Sequence, residues 1–173
     1  MALSLYAVTV PTFQQMLGGL DRILDKAEAH CAEQGMAPET LIQARLIGDM
    51  HSFAYQIKST VVHSRGAIEG VKAGLFQPDM TTPPDSFAGL KARVQDGIAW
   101  LDALAPDSVD ALQGGDMQFG FGDRHIDFLA EDFLLSFSLP NFYFHVTTAY
   151  DILRMQGVPL VKRDYLARMR KKR

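Results

Sequence analysis

The sequence predicts an all-α fold: a four-helix bundle with one small β-hairpin between its third and fourth helices. Three observations carry that class. Four long segments repeat apolar residues at steps of three and four, the period of a helix that buries one face. One short stretch, Met117 to Phe128, instead pairs two apolar-aromatic runs around Gly122-Asp123, the turn chemistry of a hairpin. No internal repeat, low-complexity run, P-loop, Rossmann glycine fingerprint, HExxH or GxSxG interrupts this pattern.

The first helix carries Val10, Phe13, Leu17, Leu20, Leu24, Ala27 and Cys31 on one stripe. Pro11 fits its first turn or a kink after a short entry segment, and Gly35 is its stop. Gly18-Gly19 lies inside this helix and is no phosphate loop. Pro38 to Arg45 reads as a short helix within the connection. The second long helix is expected from Met50 to Ala73, with Asp49 as N-cap and Gly74 as stop. Its inward stripe is Phe53, Ile57, Thr60, Ser64, Ala67 and Val71, with Gln56 and His63 beside it. Pro78, Pro83 and Pro84 mark a loop. Ser86 caps the third helix, whose buried face is Phe87, Leu90, Val94, Ile98, Leu101 and Leu104, and which Pro106 closes. A two-stranded hairpin alone is marginal, so it should pack on the bundle. The fourth helix is expected from Ala130 to Gln156, bent at Pro140 and closed by Gly157 and Pro159.

At 173 residues, 47% hydrophobic and 21% charged, the chain reads as a single domain, 1–173, able to bury an ordinary core. No run of about 18 apolar residues exists and the start lacks the features of a signal peptide, so a cytoplasmic protein without a membrane span is expected. Cys31 is the only cysteine, which excludes an internal disulfide or a CxxC metal site; it reads as a small core residue. The net charge of −3 hides an asymmetry: residues 162–173 carry +6, so the remaining 161 residues sum to −9. This basic C-terminal tail reads as a solvated, frayed end, and nucleic acid is not an expected partner, because the tail has one aromatic, Tyr165, and the body is acidic.

Candidate site residues concentrate in Leu139–Gly157. There Asn141 and His145 stand one helical turn apart on the face expected to point inward. An inward amide and imidazole must be satisfied by partners, a metal or a ligand. Gln56, Tyr6 and Tyr143 can bring further polar groups to such a pocket, which would lie between the second and fourth helices. His51 and His63 on the second helix are the nearest additional imidazoles. His30 and His125 read as surface residues, and Asp132 as a group that stabilises a helix start. Phe142-Tyr143-Phe144 covers three directions of one helix, so part of it should face another helix, the hairpin or a second copy of the chain. A homodimer is the expected assembly.

The chain resembles a bacterial family of unknown function within the DinB/YfiT-like four-helix-bundle superfamily. The resemblance rests on Ser4-Leu-Tyr6, Leu24-Asp-Lys-Ala-Glu-Ala-His30, Arg45-Leu-Ile-Gly-Asp-Met50, Leu139 to Tyr150 and Gly157 to Tyr165, and spans nearly the whole chain. It implies a DinB-like bundle with crossed connections, commonly dimeric. Members of the wider superfamily often hold a divalent metal with three histidines, one from the second helix and two as HxxxH from the last, and some are transferases acting on low-molecular-weight thiols. The last histidine of that pattern falls on His145; the earlier HxxxH position is Asn141, and the second-helix position matches Gln56, with His51 and His63 nearby.

Besides polyanion binding by the basic tail, two functions remain open from the sequence. One is a metal-free pocket around Gln56, Asn141 and His145, with Tyr6 and Tyr143, that binds a small molecule or partner. The other is a hydrolase or thiol transferase in which His145, with His51 or His63, holds a divalent zinc or nickel ion.

Overall fold

The computed structural model describes residues 4–172. Helix α1 spans Leu5–Gln34, longer at its start than the apolar stripe implies, because Ser4 Oγ accepts the Ala7 N–H at 3.3 Å and opens the helix five residues before Val10. Gly35 closes it with a left-handed φ of 60°. Every residue of the expected stripe, Val10 to Cys31, is buried. A short helix α2, Pro38–Ile42, follows.

The second long stretch begins later than expected. Helix α3 is Phe53–Val61, preceded by Ser52 rather than Asp49. Residues 43–52 form a looped connection whose ends are tied by the Phe53 N–H donating to the Ala44 carbonyl at 2.8 Å, while Arg45 donates to the Met50 carbonyl at 2.6 Å. His51 therefore lies in this connection and is exposed. A π-helical turn, Val62–Gly66, leads into α4, Ala67–Ala73, and Gly74 stops it with φ 73°. Despite the π turn, Phe53, Ile57, Thr60, Ser64, Ala67 and Val71 are all buried.

Strand β1, Leu75–Phe76, was not expected. It runs parallel to β2, Asp116–Phe121, which pairs antiparallel with β3, Arg124–Leu129, across the Gly122-Asp123 turn. The hairpin is thus part of a three-stranded sheet, order β1-β2-β3. Helix α5, Phe87–Asp102, is capped by Ser86 and ends before Pro106, which starts the short α6, Pro106–Asp110, instead of closing α5. The last long stretch is also interrupted: α7, Ala130–Asp132, a π-helical segment Phe133–Ser138, then α8, Leu139–Met155. Pro140 cannot donate to the helical ladder, and the widened turn stands immediately before it.

The chain is mostly helical. Helix α3 packs mainly on α8, and α1 on α5. Phe13 of α1 meets Phe142 of α8 edge-on at 4.8 Å, both fully buried. Cys31 belongs to this core. The C-terminal segment is not frayed: α9, Lys162–Leu166, lies along α1. Gly19 makes that seat possible, since a Cβ there would stand 3.0 Å from Ala167 Cβ and 3.2 Å from the Asp164 carbonyl. Lys26 pairs with Asp164 at 2.7 Å across the same contact. Among the described residues no helix is long and apolar enough to cross a membrane.

Candidate functional site

The site forms where the two π-helical turns meet. A π turn widens the backbone ladder by one residue and unsettles the local pairing of carbonyls, and such turns recur at functional sites. Ser138, which ends one π segment, donates its hydroxyl at 3.0 Å to the carbonyl of His63 in the other. Ser138 is fully buried, so this bond fastens α8 to the second helical stretch in a dry environment. The His63 Nδ1 stands 3.5 Å from the same hydroxyl.

One turn along the contact, His145 Nδ1 lies 2.7 Å from Gln56 Oε1. Gln56 is oriented from its other end, because its Nε2 donates to the His51 carbonyl at 3.1 Å. The amide oxygen facing His145 can only accept, so Nδ1 carries the ring proton and Nε2 holds a lone pair. The His145 and His63 rings lie 5.6 Å apart, inclined by 17°. Burial pushes the His145 imidazole down to about 4, with the His51 ring adding to the shift. Burial likewise pushes His63 down to about 3, aided by His145. Both rings are neutral at neutral pH.

Beside His63 is a cavity of about 120 Å³, walled by Tyr55, Phe76, Phe119 and Phe137 and floored by Lys58 and Ser59. Lys58 is 2% exposed. Its ammonium donates to the carbonyls of Asp79 at 2.6 Å and Thr81 at 2.7 Å and lies 3.5 Å from the Asp79 carboxylate. Arg93 and Thr81 also donate to that carboxylate. These donors and the two cations hold Asp79 below the usual carboxylate range, against the opposing effect of its burial. Lys58 and Asp79 are site residues that the sequence reading missed. Lys58 is off the apolar stripe of its helix, and it is the proline-rich loop folding over it that buries the ammonium.

The remaining candidates go elsewhere. Asn141 Nδ2 donates to the Phe137 carbonyl at 2.7 Å, along its own helix. Tyr143 is exposed and stands against Thr12, Phe142 and Tyr165 on the α1 side. Tyr6 donates its backbone N–H to Asp110 Oδ1 at 2.7 Å, at the start of α1. His51 stacks flat on Tyr55 at 3.8 Å. The structure therefore brings together Gln56, His63 and His145, and leaves Asn141, Tyr6 and Tyr143 outside that cluster.

A three-histidine metal centre does not fit these residues. Among the described residues, no group of three His, Cys, Asp or Glu side chains is placed to hold an ion. One nitrogen of His145 is committed to Gln56, Asn141 is turned into its own helix, and His51 is stacked away. Proton-transfer chemistry fits no better: a general base works best with a pKa near the operating pH, and both imidazoles lie well below it. What the pair offers is hydrogen-bond acceptance without charge, next to an aromatic-walled cavity.

A family model described as a domain of unknown function, DUF1993, matches residues 5–166. Among solved structures, the chain is similar to the crystal structure of a DinB family member from Shewanella denitrificans. The two are 26% identical and superpose with a TM-score of 0.81 over 98% of this chain and 95% of that one. The comparison with curated proteins finds no match.

Proposed function

The chain belongs to the DUF1993 family of domains of unknown function, and from that premise we propose that it is a DinB-like four-helix bundle that binds a small molecule without a metal. The ligand class is a small ring bearing a hydroxyl, thiol or amine donor. The donor would bond to the His63–His145 pair while the ring fills the cavity between Tyr55, Phe76, Phe119 and Phe137. The observation that carries this reading is the oriented line from the His51 carbonyl through Gln56 to His145, which leaves a neutral imidazole with its Nε2 as acceptor. The cavity's size supports a single small ring, since an apolar cavity of about 150 Å³ admits benzene. A homodimer is part of the same reading, supported by Phe144, which is 53% exposed on α8.

The test is nitrogen NMR of the histidine side chains, with phenol as the probe. His145 should appear at pH 7 as the neutral tautomer protonated on Nδ1, and phenol should shift the Nε2 resonances of His63 and His145. Replacing Phe137 by Trp, which fills the cavity, should abolish those shifts. Elemental mass spectrometry of the same preparation should show only substoichiometric metal. Stoichiometric zinc or nickel that is lost in His145→Ala would instead restore the metal-dependent hydrolase or thiol-transferase reading.

A further inference from the structure

A cleft of about 560 Å³ contains Arg65 and Arg93, but its cations are already neutralised. Arg65 pairs with Glu69 and Asp96, and Arg93 with Asp79. A smaller groove of about 310 Å³ between α1 and the chain after α9 is different: Arg22, Arg168 and Arg170 line it together with Gln14, Gln15 and Gly18. Among the described residues none of these three arginines has an ion-pair partner.

The backbone builds this groove. Helix α9 is seated on Gly19, and Gln15 Nε2 holds its last carbonyl, that of Leu166, at 2.8 Å. Ala167 then takes a left-handed φ of 55°, the one positive φ among the described non-glycine residues. Such a conformation is unfavourable for a residue with a Cβ and persists only where its surroundings impose it. Beyond this turn the chain passes back along α1, and Arg170 Nη2 reaches Thr12 Oγ1 at 3.4 Å. Arg168 and Arg170 thereby come to the same side of α1 as Arg22. Gly18 leaves the floor open, since a Cβ there would meet nothing within 4 Å.

We propose that this groove is a binding site for a small anion of two or three linked phosphate groups, held by Arg22, Arg168 and Arg170. Guanidinium groups bind phosphate oxygens bidentately, and three unpaired ones call for more charge than a single carboxylate carries. Among the described residues no aromatic side chain lines the groove, which gives single-stranded nucleic acid no stacking platform there. The −9 charge of the rest of the chain opposes a long polyanion but barely touches a small one seated among the arginines.

Isothermal titration calorimetry of the full chain at low ionic strength tests the proposal, with inorganic tripolyphosphate, pyrophosphate and orthophosphate as probes. Tripolyphosphate should bind one per chain and more tightly than orthophosphate. The pair Arg168→Ala/Arg170→Ala should weaken it by at least about tenfold, the loss expected for charge-assisted bonds. Gly18→Tyr, which fills the groove at unchanged net charge, should weaken it comparably. Lys171→Ala/Lys172→Ala, which removes as much charge outside the groove, should change the affinity by about twofold or less. Absence of tripolyphosphate binding overturns the proposal. So does full affinity in Gly18→Tyr, or an equal loss in the lysine variant, either of which would make the effect one of tail charge alone. Tighter binding of a duplex oligonucleotide through the same arginines would overturn the ligand class.

Discussion

Acidification should destabilise this protein in a window that belongs to His63 and His145. Each imidazole has a folded-state pKa, about 3 and about 4, below the unfolded value of 6.5. The unfolded chain therefore binds protons that the folded chain refuses. The contribution to stability is complete above pH 6.5, declines as pH falls, and levels off only below the folded values. At pH 5 both rings are still neutral in the fold while the unfolded imidazoles are almost fully protonated. The difference from pH 7.5 is then about 2 kcal/mol per ring, or about 4 kcal/mol for the pair. At pH 5 this figure is insensitive to how far below 5 the folded values lie. It is a large part of the 5–15 kcal/mol typical of a domain.

Urea unfolding at pH 7.5, 6.0 and 5.0 reads this directly. Unfolding at pH 5 should take up about two protons through these rings. The carboxylates held low by their partners, Asp79 and Asp164, lose their contribution only as pH falls through the carboxylate range, beneath the imidazole window. His63→Gln and His145→Gln should each remove about half of the change between pH 7.5 and 5, whatever they do to stability at pH 7.5. A flat stability profile in the parent chain would refute the burial of the two rings. So would a pH dependence that survives in the double variant.

Three further outcomes follow from the packing. Lys58→Met should cost about 2 kcal/mol in chemical unfolding, because it leaves the Asp79 and Thr81 carbonyls without their charged donor; amide exchange should quicken in residues 77–85. Gly19→Ala should cost about 1–3 kcal/mol by forcing a Cβ against Ala167 and the Asp164 carbonyl; trypsin should then cut sooner at Lys162 and Arg163, and unchanged digestion would contradict the seat described for α9. Sedimentation should give the mass of a dimer for the parent chain and of a monomer for Phe144→Asp, while a monomeric parent chain would remove the homodimer from the proposal.

Much of the helical framework was legible because burial repeats with the helix. The stripe from Val10 to Cys31 and the glycines at 35 and 74 are local signals, and each element stops where those glycines allow a left-handed φ. The hairpin was legible for the same reason, through its turn pair. Strand β1 was not: two residues carry no period, and Leu75-Phe76 becomes a strand only because β2 lies alongside it. Helix α9 was obscured by its charge. Its basic residues read as solvated, while its placement depends on a missing Cβ at Gly19, near the other end of the sequence, which only a folded chain brings near.

The site was legible in its polar identities and not in its geometry. Gln56, His63 and His145 stand out because amides and imidazoles on inward helix faces demand partners. Which partners they take depends on phase, and a π turn changes phase by one residue without leaving a mark on composition. In the second stretch Thr60 and Ser64 hide it further: their hydroxyls bond back to the carbonyls of Gln56 and Thr60 and keep polar residues buried on an apolar stripe. In the last stretch Pro140 explains why the ladder must open, but a bend or a widened turn would equally relieve it. At the meeting of the two turns the Ser138 hydroxyl donates to the carbonyl of His63 at 3.0 Å, a contact that joins the two widened stretches. The two irregular turns thus support each other across the interface, and the pair of neutral imidazoles is held at the place where they meet.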